Sequence, residues 1–361
     1  MNKRNAALDI LRIIAFLFVL TAHSFLHTGF YSERVTGHVM YLSVLIRTLS
    51  MTCVPLFLMI SGYLLSERVI EFGWDSTILF YSRIKRIIYV YVVCMVLIFL
   101  FQKIENTSMS CSNLVASILR YDYYSWYVEM YLGLYLLIPF LNTLWRVLKV
   151  DAARLLIFVL VFLSVVPTFC NMFDLSSINT LLRPWTREEN YTLLIPDYWT
   201  GIYPIMYYYV GAYFRKYISV HKINAIRLIG CLIVLLILFT SFNIWKSYDG
   251  IFKWGCWQEW WGFENFANSV LIFLIVLKIF SEKESTKLLR LTSELTFGAF
   301  ILSYILDVFI YRKINSLDIW NSKVIFIPFA VVCNAIISLL LSYIVNCSYD
   351  CIKDVLRRLK N

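Results

Sequence analysis

The sequence predicts an all-α integral membrane protein with about ten transmembrane helices and both termini in the cytoplasm. Three observations carry that prediction. The 361-residue chain is 60% hydrophobic and 16% charged, whereas soluble domains average roughly 25% charged residues. Its mean hydropathy is +0.70. Phe, Tyr and Trp together reach 17%, as expected of a chain that meets membrane–water boundaries many times. A net charge of +10 would point to nucleic acid in a soluble protein. Here no RNA- or DNA-binding module accompanies it, and cytoplasmic loops of membrane proteins collect Lys and Arg.

A span needs about 20 mostly apolar residues. Ten such segments lie near 8–28, 42–65, 86–102, 124–145, 154–172, 200–218, 226–245, 264–281, 295–312 and 324–347. The third is short, and Pro204 and Gly211 break the sixth. The spans use most of the length, so residues 1–361 read as a single transmembrane domain. The N-terminus, MNKRNAALDILR, has the basic flank of a signal peptide. No small-residue cleavage site follows it, so the first span is expected to persist. With the N-terminus inside, about 22 of the 33 Lys and Arg residues fall on the inner side, a bias that favours an even number of spans. The longest outer loop is Asn171–Trp199, and the most aromatic is Lys253–Phe266. Cys111, Cys170 and Cys256 fall near the outer face, where a disulfide is possible but not assignable.

Arg12 and His23 are eleven positions apart on the first span. That separation is about 20° past three full turns, so both share one helix face about 16 Å apart. Ionisable groups inside a membrane cost about 2.5 kcal/mol or more and seldom persist without a task. Arg12 at the mouth and His23 at depth suit a long substrate with an anionic head and a reactive tail, such as coenzyme A. An arginine can grip phosphate in a bidentate fashion, and a neutral imidazole can take a proton from an attacking hydroxyl. The bland alternative is a histidine that only bonds a neighbouring helix. Asp9, three positions before Arg12, is placed to pair with it.

The stretch FYSRIKRIIYVY brings Arg83, Lys85 and Arg86 to the same inner level as Arg12. They read as a second clamp on the same phosphates or as plain positive-inside charge. Glu129 lies about one turn inside the fourth span and is a candidate to orient His23 or receive a hydroxyl. Asp307 in the ninth span is a similar intramembrane acid, able to orient His23 or contact substrate, and Glu264 and Asn268 at the outer mouth are candidate substrate contacts. Trp126, Trp257 and Trp260 are candidates to stack on sugar rings, although the interfacial aromatic belt accounts for them as well. There is no GxxxxGK[ST], HExxH or GxSxG pattern. His23 and His27 stand at i, i+4 with no third ligand in the sequence, so no metal is expected.

These motifs together resemble the acyltransferase-3 family of integral membrane acyltransferases. The resemblance rests on LDILRIIAFLFVLTAH, on VPLFLMISGYLL (Val54–Leu65), on RIKR (Arg83–Arg86) and on WYVEMYLGLYLLIPFL. It covers nearly the whole chain and is most specific over the first 140 residues. It implies acyl transfer, usually of acetyl from cytosolic acetyl-CoA to a hydroxyl of an extracytoplasmic glycan such as O-antigen, common antigen, capsule or exopolysaccharide. The acceptor would be a glycan or lipid-linked glycan, and the location a bacterial inner membrane in contact with lipid. By the same resemblance His23 and Arg12 match the transfer motif, and Arg83 and Arg86 match the acyl-donor arginines. Many relatives read SFGIYLIH in the ninth span; this chain has TFGAFILSYI, with Ser303 in place of that histidine. The proline common after the basic cluster is also missing. No hydrolase-like domain is evident, so the membrane unit is expected to complete transfer itself. The competing readings are a transporter or flippase of lipid-linked oligosaccharide, and the membrane module of a sensor or resistance protein.

Overall fold

The computed structural model describes residues 4–70, 73–105, 110–173, 193–248, 250–317 and 319–358. Among them the chain forms helices and no strand beyond three isolated bridges. The helices are α1 (Ala6–His27), α2 (His38–Ser50), α3 (Cys53–Leu65), α4 (Trp74–Ser82), α5 (Lys85–Glu105), α6 (Cys111–Arg120) and α7 (Trp126–Val147). They continue as α8 (Val150–Ser164), α9 (Val166–Cys170), α10 (Tyr203–Tyr217), α11 (Ala225–Lys246), α12 (Phe263–Phe280), α13 (Lys287–Ile314) and α14 (Trp320–Arg358).

Local chemistry sets several of these boundaries. Asn5 caps α1, its side chain accepting from the Ala7 N–H at 2.8 Å, which satisfies one of the orphan donors of a helix start. The predicted span 42–65 is two helices. They meet at Met51–Thr52, where the Thr52 hydroxyl donates to the Leu49 carbonyl at 2.8 Å. The third span likewise enters through a separate helix, α4, with the break at Arg83–Ile84.

Nine helical segments among the described residues are long and apolar enough to cross a membrane. The predicted sixth span is the exception. Its helix, α10, has 15 residues, about 22 Å, and carries six tyrosines. It is wrapped by protein, with α3 and α8 packed against it. Its hydroxyls find partners there: Tyr207 donates to the Trp260 carbonyl at 2.8 Å, Tyr208 to Asn142 Oδ1 at 2.6 Å and Tyr209 to the Leu141 carbonyl at 3.1 Å. A segment too short and polar for a lipid-facing helix is tolerated when protein surrounds it. Gly211 does not break this helix but serves its packing against α3.

The centre of the bundle is α1, which touches α2, α3, α12, α13 and α14. The N-terminus is tied to the α12–α13 turn, where the Ala6 N–H donates to the Lys283 carbonyl at 3.0 Å. At the opposite end, Val35 N–H donates to the Gly250 carbonyl at 2.8 Å, and Asn315 Nδ2 donates to the His27 carbonyl at 2.7 Å. Both ends of α1 are therefore fixed, and the residues between them are held in register with α13.

Candidate functional site

A cavity of about 390 Å³ runs beside α1. Arg12 and His23 both line it, together with Arg86 of α5 and Ser293 and Glu294 of α13. Its far end is aromatic. Trp126 stacks on Trp260 with ring centroids 5.7 Å apart, and Tyr31 stacks on Trp254 at 5.4 Å; all four line the cavity. One space thus joins a basic end, a histidine and an aromatic end.

At the basic end, Asp9 is buried and accepts three close hydrogen bonds, from Arg4 Nη2 at 2.6 Å and from the Ser285 and Ser293 hydroxyls at 2.5 Å each. Arg12 Nη1 stands farther away, 3.5 Å from Asp9. Asp9 is thus chiefly the partner of Arg4, and most of the Arg12 guanidinium is left to face the cavity. Arg86 leans on α14, donating to Asn346 Oδ1 at 3.1 Å and to Asp350 Oδ2 at 3.3 Å. The basic cluster read as one clamp is divided. Arg83 faces a separate crevice with Arg68 and Phe80, and Lys85 is exposed and lines neither space. The reason is a helix break: α5 begins at Lys85, and Arg83 caps the preceding helix.

Around His23 the acids differ from expectation. Glu129 is exposed and does not line the cavity. Asp307 is buried, and its Oδ2 lies 3.9 Å from His23 Nδ1. Asp307 accepts from the Tyr124 hydroxyl at 2.7 Å and from Asn334 Nδ2 at 2.6 Å. The Tyr124 ring packs against the imidazole with centroids 3.8 Å apart and planes tilted by 32°. Tyr124 also meets His27 Nε2 through its hydroxyl. Ser303 is buried and donates to the Phe300 carbonyl at 2.7 Å.

The candidate sugar-binding residues also divide. Trp126 and Trp260 line the cavity, but Trp257 is fully buried behind it, donating Nε1–H to Asn243 Oδ1 at 2.9 Å. Glu264 and Asn268 are buried and outside the lining; Glu264 accepts from Asn243 Nδ2 at 3.0 Å. Cys170 and Cys256 are free thiols, and the Cys111 side chain lies outside the described residues, as does most of the Asn171–Trp199 loop.

Sequence reasoning missed Tyr124, Asn334 and Arg47. Arg47 is buried; it donates to the Tyr31 hydroxyl at 3.2 Å and to Gln258 Oε1 at 3.1 Å. Its guanidinium lies 4.7 Å from the Trp254 ring centre, so it holds the aromatic wall from behind. The available signal was an arginine inside an apolar span. Tyr124 had no such signal, being one tyrosine among 25.

This arrangement can hold an anionic group at one end and move a proton at His23, within a protein whose helices cross a membrane many times. No curated protein and no solved structure matches the chain. The family model for the acyltransferase-3 domain does match, over residues 5–344, and over nearly its whole length the chain therefore belongs to this family of acyltransferases.

Proposed function

We propose that this membrane acyltransferase moves an acetyl group from cytosolic acetyl-CoA to a hydroxyl of an extracytoplasmic glycan. The observation that carries this reading is the single cavity shared by Arg12, Arg86, His23 and the Trp126–Trp260 pair. Arg12 and Arg86 take the donor phosphates, and the pantetheine arm runs along α1 for the roughly 16 Å to His23. The Lys and Arg bias supports a cytoplasmic location for the Arg12 end. The acceptor sugar stacks at the aromatic end.

The chemistry follows from these positions. The acceptor hydroxyl oxygen attacks the thioester carbonyl carbon while His23 takes the hydroxyl proton. The tetrahedral adduct collapses, the C–S bond breaks, and the imidazolium returns the proton to the leaving sulfur. The products are an acetyl ester and free CoA thiol. Water is kept away from the thioester by the apolar walls, which include Phe57, Phe297 and Phe300.

The test is the O-acetyl content of surface glycan, read by NMR in a deletion strain complemented with wild type or with His23→Ala at equal membrane levels. Acetyl restored by wild type alone is the expected result. Acetyl restored by both would refute the role of His23. No acetyl change with either, together with altered glycan export, would favour oligosaccharide transport instead.

A further inference from the structure

His23 needs a defined tautomer to act as a base. One ring nitrogen must carry the proton and the other must present a lone pair. His23 Nδ1 is buried and has no hydrogen-bond partner. It points toward Asp307, whose Oδ2 is 3.9 Å away. That gap is longer than a hydrogen bond, and catalytic hydrogen bonds are commonly long before substrate binds.

Asp307 is itself held from two sides, by Tyr124 on one carboxylate oxygen and by Asn334 of α14 on the other. Tyr124 makes a second contact that matters as much, because its ring lies against the imidazole at 3.8 Å between centroids. One side chain therefore restrains both the acid and the base. The backbone that delivers it is unusual. Tyr121 and Tyr123 have φ of 53° and 62°, the left-handed region that non-glycine residues rarely adopt. Such strain persists where surrounding structure enforces it. Here Tyr123 is pinned by its ring against Tyr304 at 4.7 Å and by its hydroxyl on Gln102.

We propose that Asp307 and Tyr124 are positioning residues that hold His23 with Nδ1–H toward the carboxylate and Nε2 bare toward the cavity. The proposal rests on the acetyl-transfer reading of the same site. Of the two roles open to Asp307 it selects the one toward His23, and it places that partner one helical turn beyond Ser303. When His23 accepts the hydroxyl proton, the buried carboxylate balances the imidazolium. Tyr124 keeps the carboxylate aimed and packs the imidazole ring in place, and the His27 contact to the Tyr124 hydroxyl fixes that hydroxyl in turn.

The experiment measures transfer from radiolabelled acetyl-CoA in membrane vesicles of the deletion strain. The vesicles carry its own glycan precursors and the full-length protein or its variants. Asp307→Asn is expected to lower kcat about 100-fold with an unchanged KM for acetyl-CoA, and Asp307→Glu to recover part of the loss. Tyr124→Phe is expected to lower kcat about tenfold by itself and to add no further loss in the Asp307→Asn background. Wild-type kcat in Asp307→Asn would overturn the assignment, and so would additive losses from the two variants. If Asp307→Asn does not reach the membrane, Tyr124→Phe decides alone, and unchanged kcat overturns the proposal. Wild-type vesicles that transfer no acetyl would overturn the function reading, and this assignment with it.

Discussion

Gly62 of α3 lies directly on the backbone of Tyr208 in α10, where a Cβ would stand 1.8 Å from the Tyr208 carbonyl oxygen. The contact is reciprocal, since a Cβ on Gly211 would stand 2.0 Å from the Met59 carbonyl oxygen. The two helices are in backbone contact because both crossing points lack a side chain, as in other close helix pairs within membranes.

Neither glycine should tolerate a methyl group. Gly62→Ala and Gly211→Ala are each expected to destabilise the protein by about 1–3 kcal/mol, the usual cost of overpacking. Gly133→Ala, in a helix with open space around its Cβ, should be neutral or stabilising by roughly 0.5–1 kcal/mol. Thermal unfolding of the three variants in detergent checks the contrast. Equal melting temperatures would refute the close approach.

The basic cluster should behave unequally. Arg86→Ala and Arg12→Ala are expected to raise KM for acetyl-CoA about tenfold or more, each losing a charge-assisted contact of ~1.5–3 kcal/mol. Lys85→Ala should change it little, because Lys85 lines no part of the cavity. Arg83→Ala should fall nearer Lys85 than Arg86, since Arg83 faces the separate crevice. Donor kinetics on the four variants decide this.

The tryptophans should separate into two kinds. Trp260→Ala and Trp126→Ala are expected to weaken acceptor use about fivefold, and each to cost the fold the ~1 kcal/mol of the ring pair they form. Trp257→Phe should instead lower stability by about 1–3 kcal/mol, because it strands Asn243 Oδ1 in part and removes a buried donor. Transfer assays and melting curves on the same preparations test both halves.

Asp9→Asn should act on structure and donor binding together. It removes the charge that Arg4 pairs with and that two serine hydroxyls donate to. The expected loss is about 2 kcal/mol, below that of a fully buried pair because Arg4 is 30% exposed. A melting temperature equal to wild type would show that the cluster is dispensable to the fold.

Much of this protein was legible in its sequence. Long apolar runs announced the membrane spans, because a helix alone in lipid must satisfy its own backbone and show an apolar surface. The shared face of Arg12 and His23 followed from the helical repeat and needed no knowledge of neighbours. Both are properties of one continuous segment.

What remained hidden depended on segments far apart in the chain. Asp307, rather than Glu129, lies beside His23 because α13 packs on α1, while Glu129 is exposed and outside the cavity lining. Arg86 enters the cavity and Arg83 does not, because a helix break between them turns them to different spaces. Trp260 lines the wall while Trp257 is buried behind it. The sequence by itself determined that this chain is a helical membrane protein with a histidine aligned above an arginine. Only the tertiary structure decided which acid, arginine and aromatic rings share their cavity, because helical periodicity fixes faces within one helix and packing between helices chooses what those faces meet.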